Sequence, residues 1–217
     1  MVLGIAMMAA MLPTMIGINE ATQGQKDQEE ARGSSSRKKR CHLVATCSLS
    51  QGTAEMRQQV HNAQVQVGLD GKLYITKKPS ATMVPFNGGF YTHADFPPDN
   101  TSGMVTISGE EAPTLRWVFL DANTHELRWG GRPDSQGHVC GPFDWTKDEQ
   151  YVTLEGWEGW LAVRLPEDEL RNQEDELGIE HGLDIWRLYF DQNDDGANLP
   201  PGSQGLEVRL RRTTAES

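Results

Sequence analysis

From residue 41 onward, apolar residues recur at every second position. That is the period of a strand with one covered face, not the 3.6-residue period of an amphipathic helix. Leu115, Trp117 and Phe119 share one face of a run, and Leu161, Val163 and Leu165 share another. In 185–190, Trp186, Leu188 and Phe190 fall on one side, and Ile185, Arg187 and Tyr189 on the other. Leu206, Val208 and Leu210 alternate with Glu207 and Arg209, as expected of a sheet with one wet face. Trp117 and Trp186, inside such runs, are expected in the core. Turn residues separate the runs. Asp70-Gly71 predicts a tight hairpin between 64–69 and 72–76. Residues 121–124 predict a four-residue hairpin loop ahead of 127–130. The pattern predicts a mainly β domain, an antiparallel β-sandwich or small barrel of about ten short strands. Residues 166–182 interrupt it with a dense run of carboxylates and are read as an acidic loop insert between two strands. A short helix carrying Leu170 and Leu177 on one stripe is the alternative.

The first forty residues are different in kind. Residues 2–12 are an unbroken apolar run with the length of a secretory h-region. The run is short of the about 20 residues that a membrane span needs. Residues 1–21 are therefore expected to be a signal peptide. Residues 22–40 hold no apolar side chain larger than alanine, so burial cannot offset their ordering entropy. They read as a disordered basic linker or propeptide. The segment ends in Arg37-Lys38-Lys39-Arg40, which is either a dibasic processing site or a solvated charge run. Residues 41–217 are expected to form one β domain, secreted or held at the cell wall. The net charge of −11 argues against nucleic acid and anionic lipid as partners.

The chain has three cysteines, Cys41, Cys47 and Cys140, with no CxxC pair and no histidine at zinc-ligand spacing. In an oxidising compartment the expectation is one disulfide joining Cys140 to Cys41 or Cys47. Asn100-Thr101-Ser102 is the only N-glycosylation sequon.

Four further groups of residues bear on chemistry. The sequence 191–196, DQNDDG, fits the first half of a calcium loop, so Asp191, Asn193 and Asp195 are candidate Ca²⁺ ligands. The twelfth position is Gly202 instead of glutamate, so the loop is not an EF-hand, and an ion-free turn is the simpler reading. Tyr91, His93 and Asp95 place a histidine and a carboxylate on one side of an extended segment, a general-base arrangement. No nucleophile motif accompanies it. The six tryptophans include Trp157 and Trp160 in a glycine-flanked turn beside Glu155 and Glu158. Indole faces stack on sugar rings and carboxylates bind hydroxyls, so these two are the candidate contact residues for a glycan. No phosphate loop, dinucleotide fingerprint or internal repeat is visible.

Taken in order, His42–Ser48, the DGxLY hairpin within 66–75, the W-x-x-x-D run of 115–121, 127–131, Val139–Pro142 and 160–163 resemble small secreted fungal β-proteins, including the PhiA-type cell-wall proteins. The resemblance spans about residues 42–164. It implies secretion, a sandwich-like β-fold and association with the cell wall, and it brings no catalytic residues. The leading expectation is a non-enzymatic extracellular binding protein whose partner is a cell-wall glycan or an extracellular protein. The alternative is a β-fold protein with an apolar, Trp-lined cavity for a small apolar ligand, or a cyclase-like enzyme using His93, Asp95 and Tyr91.

Overall fold

A computed structural model describes residues 37–93, 102–107, 115–177, 184–197 and 199–214. The proposed signal peptide, most of the linker, Asp95 and the Asn100 sequon lie outside the described residues. From Lys39 onward the chain forms one compact unit.

Thirteen strands are described: β1 (Cys41–Thr46), β2 (Ala63–Gly68), β3 (Leu73–Thr76), β4 (Met83–Pro85), β5 (Gly88–Tyr91), β6 (Gly103–Ile107), β7 (Leu115–Leu120), β8 (Leu127–Gly130), β9 (Phe143–Trp145), β10 (Val152–Leu154), β11 (Trp160–Arg164), β12 (Trp186–Phe190) and β13 (Gln204–Thr214). Three helices join them: α1 (Ala54–Val60), α2 (Arg132–Ser135) and α3 (Glu167–Leu177). Thr53 starts α1, its hydroxyl accepting the Met56 amide at 3.2 Å.

Six strands close on themselves. β1 pairs with β2, β2 with β3, β3 with β12, β12 with β11, β11 with β13, and β13 returns to β1, every pair antiparallel. This is a barrel, one of the two architectures that the sequence pattern left open. Strands β5 to β8 extend from β1 as an antiparallel run, and β9 and β10 form a separate hairpin.

Period-two burial explains the closure. Trp186, Leu188 and Phe190 of β12, Trp160 and Ala162 of β11, and Leu206, Val208 and Leu210 of β13 all enter one core cluster. The opposite face of β11 is not solvated. Leu161, Val163 and Leu165 form a second cluster with Tyr189 and Ala197. On β7 it is Val118 and Leu120 that enter the main core, while Trp117 is half-buried and sets its ring edge-on to His93 at 4.5 Å. The core assignment of Trp117 is thereby corrected, and that of Trp186 holds.

The expected acidic loop is corrected as well, because most of it is the helix α3. Glu167, Asp168 and Glu169 occupy its first turn, where the positive end of the helix dipole favours them. Leu170 anchors it and is 6% exposed. One apolar anchor per two turns is too sparse a stripe for periodicity to prefer the helix over a loop.

A device recurs that the sequence does not announce. Asp70, Asp121 and Asp191 each follow the end of a strand and fold the next loop onto their own carboxylate. Asp70 accepts the Lys72 amide and the Tyr74 hydroxyl. Asp121 accepts the Asn123 and Thr124 amides at 2.9 and 3.2 Å. Asp191 accepts the amides of Asp195, Gly196 and Ala197 at 3.0, 2.8 and 3.3 Å. The strands beside these loops are tied to one another. Lys72 bridges Arg128, Glu126 bridges Tyr189, and Trp186 pairs with Ile75. Buried beneath them, Glu126 lies 3.4 Å from the Arg187 guanidinium.

Candidate functional site

The residues between β10 and β11 build a groove at the mouth of the barrel. Leu154 and Trp157 exchange both backbone hydrogen bonds, at 3.1 and 3.2 Å. The two residues between them, Glu155 and Gly156, both have positive φ, at 55° and 88°. This is the two-residue turn that matches strand twist, and it aims Trp157 back across the hairpin. The indole then rests on Gly159. A Cβ there would stand 2.4 Å from the ring and 2.7 Å from the Asp191 carbonyl. Glycine is required here by close approach, not by φ. On its other side the indole meets Phe190, centroid to centroid 5.6 Å.

Trp157 is half-buried, so part of it faces an open cavity of about 530 Å³. Opposite stand Tyr151 and Arg209. The Arg209 guanidinium lies over the Tyr151 ring at 3.6 Å and grips Glu158 with two hydrogen bonds, Nε to Oε2 at 2.6 Å and Nη2 to Oε1 at 2.9 Å. That grip holds the Arg209 guanidinium above its ordinary pKa, ahead of the opposing effect of desolvation. Glu207, Asp194 and Gln51 complete the rim, with Gln51 donating to Glu207. The cavity thus combines aromatic surface with fixed, paired charges and several free acceptor lone pairs. Such a surface suits a ligand with one apolar face and many hydroxyls.

The sequence-predicted residues fall into place unevenly. Trp157 and Asp191 both line this cavity, although the sequence treats them as unrelated. Trp160 lines its floor but is 1% exposed. Its indole N–H donates to the Val152 carbonyl at 2.7 Å and its ring packs on Phe190 at 4.7 Å. Its assignment as an exposed contact is corrected: β11 begins at Trp160, and that position points inward. Asp191 turns its oxygens to its own loop amides. Among the described residues no group of three His, Cys, Asp or Glu side chains is placed to hold a metal ion. Asn193 and Asp195 are exposed on the same loop.

His93 is 2% exposed, against Trp117 and 3.5 Å from the Ser135 hydroxyl. It does not line this groove, and Tyr91, half-buried on β5, does not either. All three cysteines are free thiols, which corrects the expected disulfide. Cys41 donates to the Gly88 carbonyl at 3.5 Å, where β1 meets β5. Cys140 donates to the Ser135 carbonyl at 3.4 Å, at the end of α2. Cys47 sits beside His61, Sγ to Nδ1 3.7 Å, at the groove's edge. Tyr151 and Arg209 were missed, and Glu158 was read only as an acidic neighbour of Trp157 and Trp160. The available signal was the alternation of β13, which puts Arg209 on the wet face in the sequence stretch that pairs with β11.

A family model described as "Fungal beta-trefoil domain" matches residues 17–216. No curated protein and no solved structure matches the chain. The family match agrees with the expectation of a fungal β-protein and does not extend to the PhiA-type cell-wall proteins. It begins at residue 17, upstream of the boundary expected at residue 41. Among the described residues no helix is long and apolar enough to cross a membrane.

Proposed function

The chain belongs to the fungal β-trefoil domain family, and on that premise we propose that it is a non-enzymatic binding protein that takes a neutral polyhydroxylated ligand, a glycan, in the groove at Trp157. The observation that carries the reading is the half-exposed indole seated on Gly159 and facing the Glu158–Arg209–Tyr151 stack. A pyranose ring has one face of C–H groups and an equator of hydroxyls. The indole takes the first. Glu158, Glu207 and Asp194 accept from the second, and the Arg209 guanidinium fixes the stack without leaving a bare charge. Pre-paired side chains lose little freedom when the ligand arrives, which favours binding by a rigid wall over binding by mobile loops.

The proposal places the protein outside the cell or at the cell wall. The apolar run of 2–12 supports that placement. Glycan-array binding of the full chain, beside a Trp157→Ala variant, tests the function. Specific neutral-glycan signals that vanish in the variant are expected. An array on which the two proteins bind alike overturns the reading.

A further inference from the structure

The groove at Trp157 continues past Asp191. A second cavity, of about 470 Å³, adjoins it, and the two share Gln51, Leu161, Asp191, Asp194 and Glu207 in their walls. We propose that the two form one trough for a linear neutral oligosaccharide, with one unit on Trp157 and the next on Leu199. The inference rests on the glycan reading of the first cavity and adds the length of ligand that the site takes.

β13 lays out the trough. Its exposed positions Gly205, Glu207, Arg209 and Arg211 alternate with buried Leu206, Val208 and Leu210. From Gly205 to Arg209 the strand rises about 13 Å, more than one pyranose ring covers. Arg209 lines the first cavity, Glu207 both, and Gly205 the second. Glu207 lies opposite Leu161 in the β11–β13 ladder, so the shared middle of the trough sets a carboxylate beside an apolar side chain.

Glu207, Arg209 and Arg211 carry long charged side chains, and Gly205 carries none. Leu199 takes the space there instead: a Cβ on Gly205 would stand 3.2 Å from Leu199 Cδ1. Leu199 is half-buried and packs on the cluster of Leu161, Val163 and Leu165. It gives the second cavity an apolar platform, as Trp157 gives the first. Acceptors stand between the platforms. Asp194 is exposed, and Glu207 accepts from Gln51 through Oε2, which leaves Oε1 for a ligand hydroxyl. Asp191 is spent on its own loop amides. No lysine, arginine or histidine lines the second cavity. A uronic acid there would face Asp194 and Glu207 without a counter-charge, so the unit it takes is neutral.

The test is titration of the full chain with single units and two-unit oligomers of glucose, N-acetylglucosamine, mannose and galactose, by calorimetry and saturation-transfer NMR. For a sugar that binds, two units are expected to bind about tenfold more tightly than one, through the added platform and its hydrogen bonds. Gly205→Lys fills the second cavity and suits the charged alternation of β13, and it is expected to bring that ratio to about one. Should Gly205→Lys fail to fold, Leu199→Ala carries the comparison and lowers the ratio in the same sense. Trp157→Ala is expected to abolish binding of both lengths. Equal affinity for one and two units, both lost in Trp157→Ala, overturns the trough and leaves the glycan reading standing. A length preference that Gly205→Lys and Leu199→Ala preserve overturns the second cavity as its source. Binding of no sugar at either length overturns the glycan reading and the trough with it.

Discussion

Gly159 shows how one missing side chain positions a functional one. The Trp157 indole occupies the space that any Cβ at 159 needs, and the Asp191 carbonyl blocks retreat on the other side. Gly159→Ala is therefore expected to cost about 1–3 kcal/mol, the usual penalty of overpacking, and to push the indole out of the groove. Urea unfolding reads the first effect, and acrylamide quenching of tryptophan fluorescence reads the second. Asp121 governs a different property. Burial alone would raise its pKa, but the amides of Asn123 and Thr124, with His138 and Arg128, bring it below its ordinary value. A carboxyl depressed in the folded state contributes stability that is complete above its unfolded pKa and is lost as pH falls through the folded one. Melting temperature is expected to drop below about pH 4 by more in the native protein than in Asp121→Asn, which keeps the amide acceptor and lacks the charge. The thiols make a third case. Burial pushes the Cys41 thiol up to about 11, with Arg212 opposing, so it is a poor nucleophile near neutrality. In the native fold, a thiol reagent at pH 8 is expected to label Cys47 before Cys41 and Cys140. All three react after denaturation without reductant. A protein with one free thiol under those conditions contradicts the structure.

Among the elements, strands were legible where burial is one-sided. β13 divides inward and outward residues as its alternation requires, and the Asp70-Gly71 hairpin stands where turn chemistry places it, with Gly71 at φ 80°. β11 misleads because both its faces are apolar and buried, in two different clusters. Alternation alone cannot say which face meets the main core. For the same reason Trp160 reads as the end of an exposed turn although it opens an interior strand. α3 stood only as the alternative to a loop because charge dominates its composition and Leu170 is its evident anchor. Leu170→Ala is expected to release α3 and leave the barrel standing. Limited proteolysis would then cut within 167–177 while the melting temperature of the remainder changes little. Cooperative loss of the whole fold would instead make α3 part of the barrel's own stability.

For the molecule as a whole, closure is what the sequence withholds. Whether strands form a sandwich or a barrel depends on pairings between segments far apart, here Ile75 with Trp186 and Cys41 with Thr214. No local pattern encodes such pairs. The threefold use of a turn aspartate was concealed because the loops after Asp70, Asp121 and Asp191 differ in length and residue type, and only the hydrogen bonds are shared. The groove was half legible. Trp157 and the Asp191 loop each stood out, but their meeting, and the Arg209–Glu158 pair beside them, follow from β13 lying next to β11. The central claim is that this meeting makes a glycan site. The most direct test is a calorimetric titration of the full chain with neutral oligosaccharides of glucose, N-acetylglucosamine, mannose and galactose, repeated with Trp157→Ala and Arg209→Gln. The account predicts saturable binding of at least one sugar, lost in Trp157→Ala and weakened about tenfold or more in Arg209→Gln. Binding that survives Trp157→Ala, or no binding by any of the four, contradicts it.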